Sequence, residues 1–313
     1  MSPLDLDALA NSRFGLKVAT GIGRATPPSV GHRLADQAAD ALARRRGSAI
    51  VRAVRANRWV ASGGTLTGAA LDEAVRLTLR HIGRCIYDLY HLTDDAATLA
   101  RRVRISPEFA ERLERLDGGE AVVVGAPHMS NFDFAGRALA RAGFRAQVLS
   151  VPDPTDAYRA QNEARQRVGL EITPISPEAL RLALKRLEGG GAVLTGVDRP
   201  LEDGGRELTF FGRPARLPDV HVRLASRVGV PFVLVWVTMA EDGAYDVWAE
   251  EVALSGGRGD EAVRRDAEKV LARAERVIAE RPEQWAMPHP VWPEALEELD
   301  ALERRMGAPE GRA

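Results

Sequence analysis

Residues 121–133 read AVVVGAPHMSNFD, and this stretch decides the fold class. Its first five residues form a short apolar run that predicts a buried parallel strand. A loop follows, and a helical pattern then covers residues 131–142. Open α/β sheets bind ligands beyond the carboxyl ends of their strands. The loop between this strand and this helix is therefore the first candidate for a functional site.

The same alternation continues towards the carboxyl terminus. Short apolar runs predict strands, and the amphipathic runs between them predict helices. We expect strands at 146–151, 170–174, 191–198, 230–237 and 245–252, and helices at 156–168, 177–188, 218–228, 260–280 and 293–305. This pattern predicts an α/β fold with a mostly parallel central sheet flanked by helices.

Residues 1–116 have a different composition, because they consist of alanine- and arginine-rich runs that read as helical throughout and require no strand. We therefore predict a helical, membrane-facing amino-terminal portion over residues 1–116. An α/β core with carboxyl-terminal helices is predicted over residues 117–313, and the two are expected to form one integrated domain.

Composition excludes several classes of protein. The chain has 313 residues and one cysteine, so an internal disulfide and a cysteine-based zinc finger are excluded. The net charge of −1 argues against a bulk nucleic-acid binder. The first 60 residues, however, carry ten basic side chains against four aspartates. This local surplus fits peripheral contact with an anionic bilayer, or simply a solvated helical face. We find neither a membrane-spanning stretch nor a secretory signal, which predicts a peripheral or soluble cytoplasmic protein.

The loop after the first strand contains the candidate catalytic pair. His128 and Asp133 are five positions apart, so on a continuous helix their side chains would point about 140° apart. They can meet only if His128 precedes the helix, and Ser130 is a good residue to cap that helix. A carboxylate on one imidazole nitrogen makes the other nitrogen a base able to activate a hydroxyl. The alternative is that Asp133 merely complements the helix dipole in a capping pattern with Ser130.

The segment resembles the H-x4-D motif of the glycerolipid acyltransferase superfamily. It is most similar to the bacterial branch of lipid A and phosphatidylinositol mannoside acyltransferases, with the mannoside-acylating kind favoured. Further blocks match this branch in order, at residues 159–169, 177–190, 197–200 with 207–212, 229–233 and 284–289. The resemblance covers about residues 10–295.

The resemblance implies an enzyme at the cytoplasmic face of the plasma membrane. Such an enzyme moves a long fatty acyl group from acyl-CoA or acyl carrier protein to a hydroxyl of a glycolipid or phospholipid. His128 is implied as the general base, Asp133 as the group that orients it, and Glu207 as a second carboxylate near the acceptor. Glu207 also reads as a buried carboxylate on an otherwise apolar strand, and a buried carboxylate needs a partner. Because a thioester is already activated, the chemistry requires neither a metal nor a redox cofactor.

Five more residues are candidates for substrate binding. Arg165 and Arg199 are candidates to bind phosphate groups, since guanidinium binds phosphate bidentately, and Asp198 is a candidate substrate-binding residue beside Arg199. An ion pair of Arg199 with Asp198 or Glu202 on a loop is an equal alternative. Phe210 and Phe211 are candidates to line an acyl channel, although paired aromatics beside a strand are more often core.

Other functions stay open on the sequence alone. They are acyl transfer to a lysophospholipid, acyl thioester hydrolysis, and lipid binding without catalysis. Among the remaining histidines, His221 is a candidate to support the site from behind, whereas His32, His81, His91 and His289 are expected to be structural.

Overall fold

The computed structural model describes residues 26–91, 96–152, 156–201 and 205–307. Within these residues the chain begins with helices and continues as alternating strands and helices. The helices are α1 (Pro28–Ala43), α2 (Ala49–Ala61), α3 (Gly68–His91), α4 (Ala96–Arg102), α5 (Pro107–Asp117), α6 (Phe132–Arg141), α7 (Asp156–Arg167), α8 (Pro177–Glu188), α9 (Val220–Val228), α10 (Asp260–Glu280) and α11 (Pro293–Gly307). The strands are β1 (Val103–Ile105), β2 (Val122–Ala126), β3 (Ala146–Ser150), β4 (Glu171–Pro174), β5 (Ala192–Gly196), β6 (Arg206–Phe210), β7 (Arg213–Leu217), β8 (Phe232–Met239) and β9 (Tyr245–Glu251).

Seven strands form the central sheet, in the order β1-β9-β8-β2-β5-β3-β4. Every neighbouring pair is parallel except β8 with β9. The middle strands are apolar on both faces because helices cover both sides of the sheet. The α/β fold with a mostly parallel sheet is therefore confirmed.

One sequence prediction about the amino-terminal portion is wrong. Residues 103–105, expected to need no strand, form β1 at the edge of the central sheet and pair with β9, with Val103 opposite Tyr245. The strand is only three residues long and mostly exposed. It therefore carries too few apolar positions to show a period, and its pairing depends on residues about 140 positions later in the chain.

Two apolar cores lie against the sheet. One packs α3, α5 and α6 on the face that carries Val124, Val235 and Val247. The other packs α2, α8, α9 and α10 with the aromatic side chains of the carboxyl-terminal region. No helix among the described residues is both long and apolar enough to cross a membrane.

A separate antiparallel ribbon, β6 with β7, lies against α10. A two-residue turn joins its strands, with Phe211 and Gly212 both at positive φ, 49° and 70°. This is the geometry that hairpin turns require, and glycine meets it without steric cost. The backbone N–H of Phe211 donates to the Glu275 carboxylate, which fixes the turn against α10.

Candidate active site

The register of β2 and β5 brings two side chains together. Ala126 and Gly196 are opposite one another at the carboxyl ends of these parallel strands. His128 and Asp198 each follow two residues later. After β2 the chain continues to β3, which lies towards the β4 edge of the sheet. After β5 the next strand of this sheet is β8, which lies towards the opposite, β1 edge. The carboxyl ends of β2 and β5 therefore form a topological switch point, where open α/β sheets bind ligands.

His128 and Asp198 form a tightly bonded pair. The imidazole Nδ1 lies 2.6 Å from Oδ1 of Asp198, and the His128 backbone N–H donates to Oδ2 at 2.9 Å. The indole Nε1–H of Trp285 donates to the same Oδ2 at 2.8 Å. Since an ionised carboxylate only accepts hydrogen bonds, Nδ1 carries the proton and Nε2 is left as the basic nitrogen.

The charge state of Asp198 follows from its surroundings. Burial on its own would raise the pKa of this carboxyl, but attraction to His128 and the hydrogen bonds from His128 and Trp285 outweigh burial. The pKa of Asp198 is therefore held below its usual value, and the carboxylate remains ionised at neutral pH. It can stabilise an imidazolium when His128 takes up a proton.

The loop that carries His128 is held from the far end of the chain. The backbone N–H of Ala286 donates to the His128 carbonyl at 2.8 Å, and that of Ser130 donates to the Gln284 carbonyl at 2.7 Å. Ser130 has a positive φ of 48°, a strained conformation for a residue with a Cβ. Residues 284–286 and the cap of α6 thus fix the loop in a shape that aims His128 away from the helix axis.

A buried polar chain also anchors the start of α6. Asn131 caps the helix by accepting from the Phe134 N–H, while its amide donates to the Cys85 carbonyl and to the Tyr245 hydroxyl. Tyr245 in turn donates to the buried Asp88 at 2.6 Å. These contacts connect the catalytic loop to α3, so the amino-terminal helices form part of the support of the site.

The structure corrects the role predicted for Asp133. Its carboxylate accepts from Nε of Arg165 at 2.8 Å and lies 3.4 Å from Arg137, whereas the hydrogen bond to Nδ1 of His128 comes from Asp198. The physical reason is the register described above: β5 delivers Asp198 directly to the imidazole, while the first turn of α6 turns Asp133 towards α7. Burial would raise the pKa of Asp133, but the charges of Arg165 and Arg137 prevail and lower it.

Arginines and a tyrosine form the polar side of the site. Tyr158 of α7 lies between two guanidinium groups, 5.2 Å from Arg165 and 5.6 Å from Arg199, measured to the ring centroid. Arg165 is buried and already paired with Asp133. Arg199 is half-buried. Its guanidinium stacks on Tyr158, which lines the polar mouth of the cavity described next.

An apolar cavity of about 130 Å³ opens at this group. Its polar residues are His128, Asp133, Tyr158 and Arg165. Beyond them the lining is apolar and comes from one face of α6 and from the sheet beneath it. These residues include Phe132, Gly136 and Leu139 of α6, Val148 of β3, Leu194 of β5, Val124 of β2, Val235 and Val237 of β8, and Val247 of β9.

Two further predictions about the site need correction. Glu207 is exposed rather than buried, because the alternation of β6 turns Leu208 and Phe210 inward and Glu207 outward, opposite Arg216. Glu207 does not line the cavity. Phe210 and Phe211 pack with Trp285 and Trp292 instead of lining the cavity, so the alternative, that they belong to the core, is correct.

Three of the remaining histidines, His32, His81 and His221, lie outside the cavity. His81 contacts the Ser130 hydroxyl at 3.1 Å, and His32 binds Asp88 at 2.7 Å. His221 is fully buried beside Phe232, with no hydrogen-bond partner for either ring nitrogen within the described part of the chain. In the same part of the chain, no group of three or more histidine, cysteine, aspartate or glutamate side chains could hold a metal ion.

The sequence did not predict that Asp198 orients His128 or that Trp285 contacts that carboxylate. Asp198 was predicted as a substrate-binding residue, and Trp285 only as part of a matching block. The equal spacing of His128 and Asp198 from the ends of their strands was a usable signal. The contact of Trp285 had no local signal, because 87 residues separate it from Asp198.

Comparisons with known proteins agree with this chemistry. The sequence profile of a family described as bacterial lipid A biosynthesis acyltransferase matches residues 15–294. The chain is similar to the phosphatidylinositol mannoside acyltransferases of Mycobacterium tuberculosis strains CDC 1551 / Oshkosh and ATCC 25618 / H37Rv, at 28% identity over 240 residues and 73% of each chain. It is also 28% identical to the protein of that name from Mycolicibacterium smegmatis, over 56% of this chain and 58% of the relative. The chain therefore belongs to the bacterial lipid A biosynthesis acyltransferase family, and it is an acyltransferase that acts on a glycolipid.

Proposed function

We propose that the protein transfers a long fatty acyl group from a thioester, acyl-CoA or acyl carrier protein, to a hydroxyl of a phosphatidylinositol mannoside-type glycolipid. The observation that carries this proposal is the His128–Asp198 pair at the mouth of an apolar cavity. A general base beside an apolar cavity is what acyl transfer to an alcohol needs.

His128 acts as the general base in the proposed reaction. Nε2 takes the proton of the acceptor hydroxyl as its oxygen forms a bond to the thioester carbon. The tetrahedral intermediate then collapses, the carbon–sulfur bond breaks, and the imidazolium returns its proton to the leaving thiolate. Asp198 keeps the proton on Nδ1 throughout and stabilises the imidazolium. The products are the ester and the free thiol.

The cavity favours a long acyl chain over a short one. Its lining crosses five neighbouring strands, β3-β5-β2-β8-β9, which is about 19 Å at the spacing of strands in a sheet. An extended hydrocarbon advances roughly 1.3 Å per carbon at ordinary C–C bond lengths, so a chain of about 15 carbons would match this span, and the cavity of about 130 Å³ must widen to admit it. Beyond its polar end the lining is apolar, which stabilises a methylene chain by removing it from water.

The choice of acceptor rests on two observations. The relatives described above are named for acylating phosphatidylinositol mannosides. In this chain Arg199 lies beside the polar mouth, stacked on Tyr158, and a half-buried guanidinium suits the phosphodiester of such a lipid.

One face of α1 supports peripheral association with an anionic membrane at the cytoplasmic side, where acyl-CoA and acyl carrier protein are found. Val30 and Leu34 are exposed on this face, 44% and 47%. Arg33 is exposed on the same helix, and Arg44 and Arg45 are exposed just beyond its carboxyl-terminal end. The two aspartates of α1 point the other way and bind arginines of α3. Exposed apolar side chains on a helix with exposed arginines suit the interface of an anionic bilayer.

Acyl transfer can be tested directly with purified protein. Palmitoyl-CoA is supplied alone, with a phosphatidylinositol mannoside or with a lysophospholipid, and thiol release and lipid products are followed by mass spectrometry. We expect an acylated glycolipid and a loss of roughly 10²–10⁴-fold in rate for His128→Ala, the usual contribution of a general base. His91→Ala is the matched control, because it removes an imidazole outside the site. Three outcomes would contradict the proposal. Free fatty acid as the sole product would indicate a thioesterase, and an acylated lysophospholipid as the sole lipid product would indicate that lysophospholipid is the acceptor. Absence of thiol release would indicate a protein that binds lipid without catalysis.

A further inference from the structure

Gly136 lies in the middle of α6, where the backbone conformation does not require a glycine. Glycine there destabilises a helix by roughly 0.5–1 kcal/mol relative to alanine. Its φ is not positive, unlike that of the glycines in turns. Some other feature must therefore favour the absence of a side chain at this position.

Other glycines in elements show what a packing reason looks like. At Gly125 in β2 a Cβ would come within 2.4 Å of Phe232 and 2.7 Å of Val197, and at Gly31 in α1 it would come within 2.0 Å of Tyr87. At Gly136 a Cβ would meet no atom within 4 Å. Packing against a neighbour therefore does not explain this glycine.

The open space beside Gly136 is the apolar cavity. Gly136 lines it together with Phe132, one turn earlier, and Leu139, three residues later, so these residues share the inward face of the helix. The Phe132 ring is 5.1 Å from the His128 ring, in an edge-to-face contact. Gly136 lies about 6 Å further along the helix axis, beyond Phe132 as seen from His128. A side chain there would occupy the part of the cavity that only a longer acyl chain reaches.

We propose that Gly136 determines how long an acyl chain the enzyme accepts, by leaving open the deep part of the cavity. This inference rests on the proposed function in that the ligand is an acyl thioester. It makes a separate claim, however, because chain-length selection can be measured by binding as well as by transfer.

The test compares octanoyl-CoA with palmitoyl-CoA in the full-length protein and in Gly136→Leu. Binding of each thioester is measured by calorimetry, and kcat/KM for transfer is measured where transfer occurs. We expect the palmitoyl-to-octanoyl ratio, in binding and in kcat/KM, to fall at least ~10-fold, equivalent to about 1.4 kcal/mol. Octanoyl-CoA itself should be affected less, because its chain of about 10 Å only just reaches the level of Gly136, whereas a palmitoyl chain must pass it.

Two variants control for effects on folding. Arg141→Leu adds the same side chain at an exposed position of α6 and should leave the ratio unchanged. Gly136→Ala raises helix propensity and adds only one methyl group, so it should keep the fold and shift the ratio in the same direction by a smaller amount. Should Gly136→Leu fail to fold, Gly136→Ala decides the matter.

The two proposals fail in different ways. An unchanged ratio in the Gly136 variants, an equal loss for both chains, or a wild-type protein that binds neither thioester would overturn the role of Gly136. A different result would overturn the proposed function and leave the role of Gly136 intact. In that case the wild-type protein binds palmitoyl-CoA and the Gly136 variants lower the palmitoyl-to-octanoyl binding ratio, yet no glycolipid is acylated.

Discussion

Asp198→Asn separates the His128–Asp198 pair from the alternative in which Asp133 orients the base. Oδ2 of Asp198 accepts from the His128 backbone N–H and from Trp285, so the oxygen of an asparagine would take that position. The new NH₂ group would then occupy the position of Oδ1, 2.6 Å from Nδ1 of His128. Because two donors cannot face each other, the imidazole must move its proton to Nε2.

This change of tautomer removes the basic nitrogen from the acceptor hydroxyl. We expect a loss of rate on the order of 10⁴, the magnitude found when a histidine base is held in the wrong tautomer. All three hydrogen bonds of residue 198 persist in this tautomer, the third with its direction reversed, from the asparagine N–H to Nδ1. Only the charge of the carboxylate is lost, so the free energy of unfolding should fall by no more than about 1.5–3 kcal/mol, the contribution of one charged hydrogen bond. The fold should therefore survive.

The assay is palmitoyl transfer combined with nitrogen NMR of the imidazole, which reports the tautomer independently of turnover. Asp133→Asn is the comparison. It should keep the proton on Nδ1 but reduce stability, because Arg165 loses a buried partner. If Asp198→Asn stays within ten-fold of the wild-type rate while Asp133→Asn changes the tautomer, the assignment of the pair is wrong.

Two further predictions concern the protonation of buried histidines and the charge of the exposed arginines of α1 and the residues after it. Burial lowers the pKa of His81 and of His221 to about 4 from 6.5, so the unfolded chain binds protons that the folded protein does not, and stability falls as pH drops from 6.5 towards 4. Urea unfolding should show a loss of about 2 kcal/mol per histidine between pH 8 and pH 5, and a flat profile there would contradict it. Replacing Arg33, Arg44 and Arg45 with glutamate should abolish co-sedimentation with anionic vesicles while leaving the circular dichroism spectrum unchanged; retained sedimentation would rule out the α1 face as the membrane contact.

The sequence predicted most of the fold because the central strands carry their signal locally. β2, β5 and β8 are continuous apolar runs between turn residues, and the neighbouring helices α6, α8 and α9 are amphipathic over nine to twelve residues. β1 lacks both properties, since it is short and exposed and is fixed only by pairing with β9. Its formation depends on tertiary contacts that no local window contains.

The site was predicted in part for a similar reason. His128 follows an apolar strand and precedes a capped helix, so its position could be read locally. The partner of its imidazole depends on which strand lies beside β2. That neighbour is β5, about 70 residues later, rather than the next strand in sequence. Glu207 was misplaced because a strand with two apolar positions reads as buried unless it is known to be one half of a solvent-facing ribbon.

The bonds from residues 284–286 to the catalytic loop have a consequence for biosynthesis. During translation, β2, β5 and the His128 loop leave the ribosome long before Trp285 and Ala286 do. Until those residues emerge, the loop lacks the hydrogen bonds that hold its strained backbone, and Asp198 lacks its indole donor. A nascent chain that has not yet reached residue 286 therefore has an incompletely supported His128–Asp198 pair. Activity is expected only after residues 284–286 have been synthesised.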